Sequence, residues 1–241
     1  MPRNLNRFKI YKNRAHVAAT IAIVALPFLF LLLFSQVAKI ASSELFYDVF
    51  ISVFRLAIAY AVAAATGWLL AVWFYHGQRS HIALPLFDVL QSFPTFAAVP
   101  LATLYWGATD FTVIFFLAVT IIWPICFNVI SSLRSARRDW TEAVEMSRLT
   151  GWNYLRYYLW PVTVPGFVTG SIISLGEGWE ALVATEIIIQ VKPGLGNFFQ
   201  AYSVHPGIIF FGILALLLIV FSLNKIIWSP LLEKSHLMTE E

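Results

Sequence analysis

This sequence predicts an all-helical chain that crosses a membrane several times, and three observations support that fold class. Of its 241 residues, 59% are hydrophobic and 12% charged, with a mean hydropathy of +0.76, a composition that no water-soluble globule with an ordinary surface carries. Apolar runs of spanning length recur from one end of the chain to the other. The basic residues are gathered in particular loops: of sixteen Lys and Arg, five precede residue 15 and five more fall between Arg134 and Arg156. That placement follows the positive-inside rule and is not a nucleic-acid patch. The net charge is only +3, and the lone Cys126, set in an apolar run, can form no internal disulfide.

The elements follow in order. Residues 1–14 carry Arg3, Arg7, Lys9, Lys12 and Arg14 and are expected as a cytoplasmic tail. The run 15–38, at roughly 24 residues, exceeds a signal-peptide core and is read as an uncleaved first span, with Pro27 inside it. A polar link with Lys39, Glu44 and Asp48 leads to a second span at 49–75. That span holds Arg55, deep enough to want a partner, and then Ala57, Ala59, Ala61, Ala63, Ala64, Ala65 and Gly67, small residues that let helices approach closely. Residues 76–81 are expected as a short cytoplasmic turn. Its His76 and His81 have no Cys or carboxylate beside them and do not make a metal pattern.

The segment 82–106 breaks the pattern, with Pro85, Pro94 and Pro100 and with Asp88, Gln91 and Ser92 in its first half. It reads either as a kinked span or as an interrupted one, tolerated at membrane depth only where it packs on protein or lines a water-filled path. An outer turn at 107–110 precedes a fourth span at 111–133 with Pro124 and Asn128. Asn128 is expected to bond a backbone carbonyl or a neighbouring helix, with a substrate contact as the alternative. A fifth span is expected at 162–189, a short surface helix at 197–205 and a sixth span at 207–228. Lys225 and Lys234 place the far end in the cytoplasm. The chain is thus read as one domain with about six transmembrane helices, both termini inside, and a short tail at 231–241.

Two features stand out chemically. Glu177, Glu180 and Glu186 put three carboxylates in one span, where an ionised group facing lipid costs about 3 kcal/mol or more. Lys225 at the inner end of the sixth span aside, Arg55 is the only basic residue within another span, so it is expected to pair with Glu180 or Glu177. The second feature is the charged stretch between the fourth and fifth spans. Asp139 is expected to cap a helix, with Glu142 reaching back to it. Trp140, Ala143 and Val144 then share one face, with Thr141, Glu142, Glu145 and Arg148 opposite. A turn at Thr150 and Gly151 and a second helix ending before Pro161 complete a docking element.

That stretch resembles the cytoplasmic loop of permease subunits of binding-protein-dependent ABC importers, whose signature is Glu-Ala-Ala, three residues, Gly, twelve residues and Pro. Glu142-Ala143-Val144 match the opening and Pro161 stands at the expected distance, with Pro165-Gly166 beyond it as in the branch similar to nitrate, sulfonate, taurine and bicarbonate permeases. Arg148 departs, standing where the family has Gly, while Gly151 comes three residues late. Residues 49–230 resemble the family's permease core, with 134–161 as its coupling loop. The Phe93-Pro94 turn resembles the family's break between a first helix and a pathway-lining one, and Glu186 with Gly194-Leu195-Gly196 resembles its Ala-x-Glu and Gly-Leu-Gly positions.

The resemblance implies a transmembrane subunit that moves a small solute, such as nitrate, a sulfonate or bicarbonate, across a bacterial inner or archaeal plasma membrane. Its partners by the same resemblance are ATPase subunits docking on Asp139, Glu142, Ala143, Val144, Arg148 and Gly151, an extracytoplasmic solute-binding protein, a second permease subunit and membrane lipid. Arg55, Phe93, Pro94, Asn128, Glu177, Glu180 and Glu186 are then the candidates for the pathway or an intramembrane ion pair. The chain has no phosphate-binding Gly-x-x-x-x-Gly-Lys-Ser/Thr loop, no metal motif and no nucleophile elbow, so no catalytic residue, cofactor or metal is expected in it. Two other readings compete. One is an ion-coupled secondary transporter using Glu177, Glu180 and Arg55, and the other is a scaffold, which leaves the carboxylates without a purpose.

Overall fold

The apolar runs fold as helices throughout, and no strand occurs among the described residues. The computed structural model describes residues 3–75, 77–136, 138–228 and 230–231, and their side chains except at 3–19, 138, 143 and 145. The expectations for His76, for Lys234 and the tail beyond 231, and for the side chain of Ala143 lie outside the described residues.

Two compact units divide the chain, one of residues 1–46 with 202–230, the other of 47–201 with 231–241. The first unit contains helix α1 (Arg3–Val37), helix α10 (Pro206–Leu223) and a π-helical turn, Asn224–Trp228. Aromatic rings join its two helices: Phe211 lies 6.5 Å from Phe30 and 6.0 Å from Phe34, and Ser222 Oγ donates to the Ile23 carbonyl at 2.8 Å. Helix α1 begins well inside the expected tail, because residues 3–14 contain neither glycine nor proline to stop it.

The second unit is built on α2 (Ser42–Phe74) from residue 47 onward, α3 (Gly77–Gln91), α4 (Thr95–Trp106), α5 (Asp110–Arg134), α6 (Arg138–Ser147), α7 (Gly151–Tyr154), α8 (Trp160–Ile189) and α9 (Leu195–Ala201). Small residues set its closest contacts. On α8, Gly166, Gly170, Ser174 and Gly178 recur every four residues and so share one face. A Cβ on Gly170 would lie 2.7 Å from Ile125 Cα, one on Gly166 would strike the Asn128 carbonyl, and Ser174 Oγ donates to the Ile121 carbonyl at 2.6 Å. Helices α5 and α8 therefore meet backbone to backbone, which is how spans pack where lipid offers no hydrophobic drive. The small face expected on α2 splits in two. Ala59, Ala63, Ala64 and Gly67 are buried while Ala57, Ala61 and Ala65 are exposed.

Side-chain bonds fix the direction of each helix. Arg55 on α2 reaches Asp110 at the start of α5 and Pro193 just past the end of α8, so those points share one end of the unit. At the other end Arg134, closing α5, donates to the Tyr75 carbonyl beyond α2 at 3.2 Å and to Ser80 Oγ of α3 at 2.6 Å. Helices α2 and α5 run the same way, α8 runs back, and α3 with α4 makes the return between them. That return is broken: α3 and α4 meet at 79° across Ser92-Phe93-Pro94. The interrupted reading of 82–106 therefore holds over the kinked one.

Thr20–Val37, Ser42–Phe74, Asp110–Arg134 and Pro206–Trp228 are long and apolar enough to cross a membrane, and the bent pair makes a fifth if it counts as one span. Helix α8, with 30 residues, is about 45 Å long, but its glycines and three glutamates keep it off that apolar set.

Several expected boundaries move. Residues 77–81 are the first turns of α3 and not a loop, and α2 begins at Ser42 within the expected link. Helix α6 starts one residue ahead of Asp139, which therefore stands in its first turn. The short surface helix α9 is earlier and shorter than expected, at Leu195–Ala201. The second loop helix does not stop before Pro161. It runs from α7 through a π-helical turn, Leu155–Leu159, straight into α8, where Pro161 occupies the first turn. There the Trp160 N–H reaches back five residues to the Leu155 carbonyl. The wider turn comes just where proline removes a donor and its ring needs room, so the helix continues past it.

Candidate functional site

Both ends of the second unit carry chemistry. At the end where α8 finishes, the helices converge on Arg55, whose residue is 2% exposed. Its Nη1 donates to Glu186 Oε1 at 2.6 Å and to the Pro193 carbonyl at 2.8 Å, and its Nε and Nη2 donate to Asp110 Oδ1 at 2.8 and 2.5 Å. Glu186 is fully buried, at 0% exposure, and its carboxylate is saturated. Ser52 Oγ approaches its two oxygens at 2.8 and 2.9 Å, and the Gly196 N–H donates to Oε2 at 2.8 Å. Gly194 donates its N–H to Asp48 Oδ1 and Leu195 donates to Ser52 Oγ, each at 2.8 Å. The two glycines are there for close approach. A Cβ on Gly194 would stand 2.7 Å from Arg55 Nη1, and one on Gly196 would strike Glu186 Cβ.

The ion pair therefore exists, but with a different carboxylate from the one expected. Glu177 lies nine residues before Glu186, half a turn round the helix, and both Glu177 and Glu180 are exposed. Their face turns away from α2, so Arg55 pairs with Glu186 and Asp110. The Arg55–Glu177–Glu180 set needed by the ion-coupled reading is not assembled. Asp110 and Asp48, placed by their sequence in a turn and a link, were not expected to take part. Both stand at the end from which α2 and α5 start, and that shared level is the signal that points to them.

The remaining candidates disperse. Phe93 and Pro94 form the exposed bend between α3 and α4, with Phe93 52% exposed. Asn128 donates to the Pro124 carbonyl at 2.8 Å, one helical turn back, so its amide is bound to the backbone as expected.

At the opposite end lies the charged stretch. Trp140 and Val144 turn inward onto a core that includes Phe87, Trp123, Leu133 and Tyr158. The apolar face expected for docking is thus occupied by the chain's own core. What α6 leaves exposed is the other side, where Asp139, Glu142 and Met146 lie within one face and Met146 is 86% exposed. Trp152 follows in α7 at 71% exposure. The helix ends at Arg148 with φ +50°, and α7 opens at Gly151 with φ +59°. Arg148 thus takes up the left-handed turn that a glycine at this place would form without strain.

These features meet in one comparison. A family model described as the binding-protein-dependent transport system inner membrane component matches residues 63–227. The chain belongs to that family. The matched stretch runs from the middle of α2 to the π-helical turn after α10, taking in the charged loop and Glu186 but not Arg55. Among relatives in the inner membrane component family, the chain is similar to the nitrate import permease protein NrtB of Synechocystis sp., 30% identical over 179 residues, 71% of this chain and 65% of that protein. It is likewise similar to the bicarbonate transport system permease protein CmpB of Synechococcus elongatus, 28% identical over 182 residues, 72% of this chain and 66% of that one. With the putative aliphatic sulfonates transport permease protein SsuC of Bacillus subtilis it shares 25% over 182 residues, again 72% and 66%. The chain thus spans slightly under two thirds of the length of these relatives.

Proposed function

We propose that this chain is the transmembrane permease subunit of an ATP-driven importer, forming a translocation pathway for a small solute, of which a small anion such as nitrate, bicarbonate or a sulfonate fits the names of its relatives. The supporting observation is α6: a helix of charged sequence between α5, which is long and apolar enough to cross a membrane, and α8, anchored by Trp140 and Val144, with Glu142 and Met146 on its exposed side. ATP hydrolysis takes place in separate subunits, since this sequence has no phosphate-binding loop. Those subunits grip the exposed side of α6 from the cytoplasm, a solute-binding protein docks at the end that carries Arg55, and a second permease subunit completes the pathway. Both termini lie in the cytoplasm, as the basic residues require.

On this reading Asp139, Glu142, Arg148 and Gly151 belong to the coupling loop. Because α7 passes without a break into α8, a push on the loop is delivered along a 30-residue helix. The test is Glu142→Lys in the assembled importer. Solute-stimulated ATP hydrolysis is expected to fall at least tenfold, roughly 1.4 kcal/mol of lost coupling or more, with normal amounts of chain in the membrane. Hydrolysis that still follows solute at the native rate would remove α6 from the coupling path.

A further inference from the structure

The turn between α8 and α9 is held almost entirely by side chains. Its Pro193 carbonyl takes Arg55, and its Gly194, Leu195 and Gly196 N–H groups go in turn to Asp48, Ser52 and Glu186. Helix α9, which grows from this turn, has seven residues, well short of the length at which an isolated helix is stable in water. Its place is therefore set by what its start is tied to and by the burial of Leu195, Phe198 and Phe199. Of the four tying groups, Glu186 and Arg55 are the two that are fully buried and ionic, and each completes the other.

We infer that the Arg55–Glu186 pair is a clamp that keeps the Pro193–Gly196 turn and α9 closed over this end of the unit. The two are positioning residues that act through the turn. Asp110, whose side chain is 67% exposed, steadies the guanidinium from the solvent side and does not touch the turn. The charge on Glu186 is what the clamp requires. Remove it, and Arg55 keeps only Asp110 and the Pro193 carbonyl, while Gly196 and Ser52 lose a charged acceptor for a neutral one, and bonds to charged acceptors are roughly twice as strong. On the permease reading this end is the outer mouth, so the clamp shapes the surface that meets the outside. The clamp itself does not depend on that reading, and neither does its test.

The native chain offers a clean background, because its one cysteine, Cys126, is 0% exposed. The full chain carrying Leu195→Cys is placed in lipid nanodiscs, where both faces can be reached, and labelled with a water-soluble maleimide. Leu195 is 5% exposed, so labelling is slow in the native background. Adding Glu186→Gln is expected to speed it at least about tenfold, less than the full effect of breaking a buried pair because Asp110 still holds Arg55. Val99→Cys, at a 0% exposed position on α4, serves as the control and stays slow in both backgrounds. Asp110→Asn changes Leu195→Cys labelling by less than about twofold, as exposed pairs contribute little. The clamp is overturned if Glu186→Gln leaves Leu195→Cys slow, if Val99→Cys speeds up equally, or if Asp110→Asn acts as strongly as Glu186→Gln.

Discussion

Arg148 shows how a single residue can depart from a family pattern and keep its geometry. Its φ of +50° is the left-handed conformation that costs an L-residue about 1–2 kcal/mol and costs glycine nearly nothing. The side chain is exposed, so no buried contact is seen to repay that cost. Arg148→Gly is therefore expected to stabilise the loop by about 1 kcal/mol, visible as roughly fivefold slower proteolysis between α6 and α7, whereas Arg148→Val makes cleavage faster. Arg55 teaches the converse lesson. That a lone arginine in a span needs a carboxylate was legible from its sequence, since an unpaired ion there is too costly. Which carboxylate was not, because Glu177, Glu180 and Glu186 differ only in the direction they leave α8, and that direction matters only once α2 has a place beside it.

At the scale of elements, the pairing of α5 with α8 carries the second unit. Sequence showed glycines in α8 but not which face they served. In the structure Gly166, Gly170 and Gly178 meet α5 or α2, while Gly176 meets nothing within 4 Å. Gly170→Leu is accordingly expected to force the helices apart at a cost of about 1–3 kcal/mol, lowering the yield of monodisperse chain in detergent, while Gly176→Ala leaves it unchanged. The break between α3 and α4 was readable from Pro94 and its polar neighbours, as proline starts α4 and cannot continue α3. The continuity of α7 with α8 was not readable. A proline signals a stop by its missing donor, and only the π-helical turn ahead of Pro161 lets the chain carry on.

For the whole molecule, charge and apolar surface have separate jobs. Ile82, Leu104 and Trp73 stand 76%, 83% and 66% exposed, a surface suited to lipid and not to water. The loops that carry the basic residues are then expected on one side of the membrane. With Cys126 buried, Met146→Cys on α6 should react with an impermeant maleimide only in inside-out vesicles, and Gln200→Cys on α9 only in right-side-out ones. Labelling of both from the same side would invert the topology on which the coupling reading rests.

What the amino-acid order alone determined is whatever follows from solvent and period. Apolar runs of spanning length must be helices in a bilayer, since every backbone polar group has to be satisfied within the segment. A charged helix between two such runs must leave the lipid, and prolines among polar residues must break a span. The tertiary structure decided the partners: Glu186 for Arg55, Trp140 and Val144 inward, Glu142 and Met146 outward. Those choices depend on the rotation of each helix about its own axis. Contacts between residues distant in the sequence, 131 positions apart for Arg55 and Glu186, set that rotation, and no local pattern encodes it.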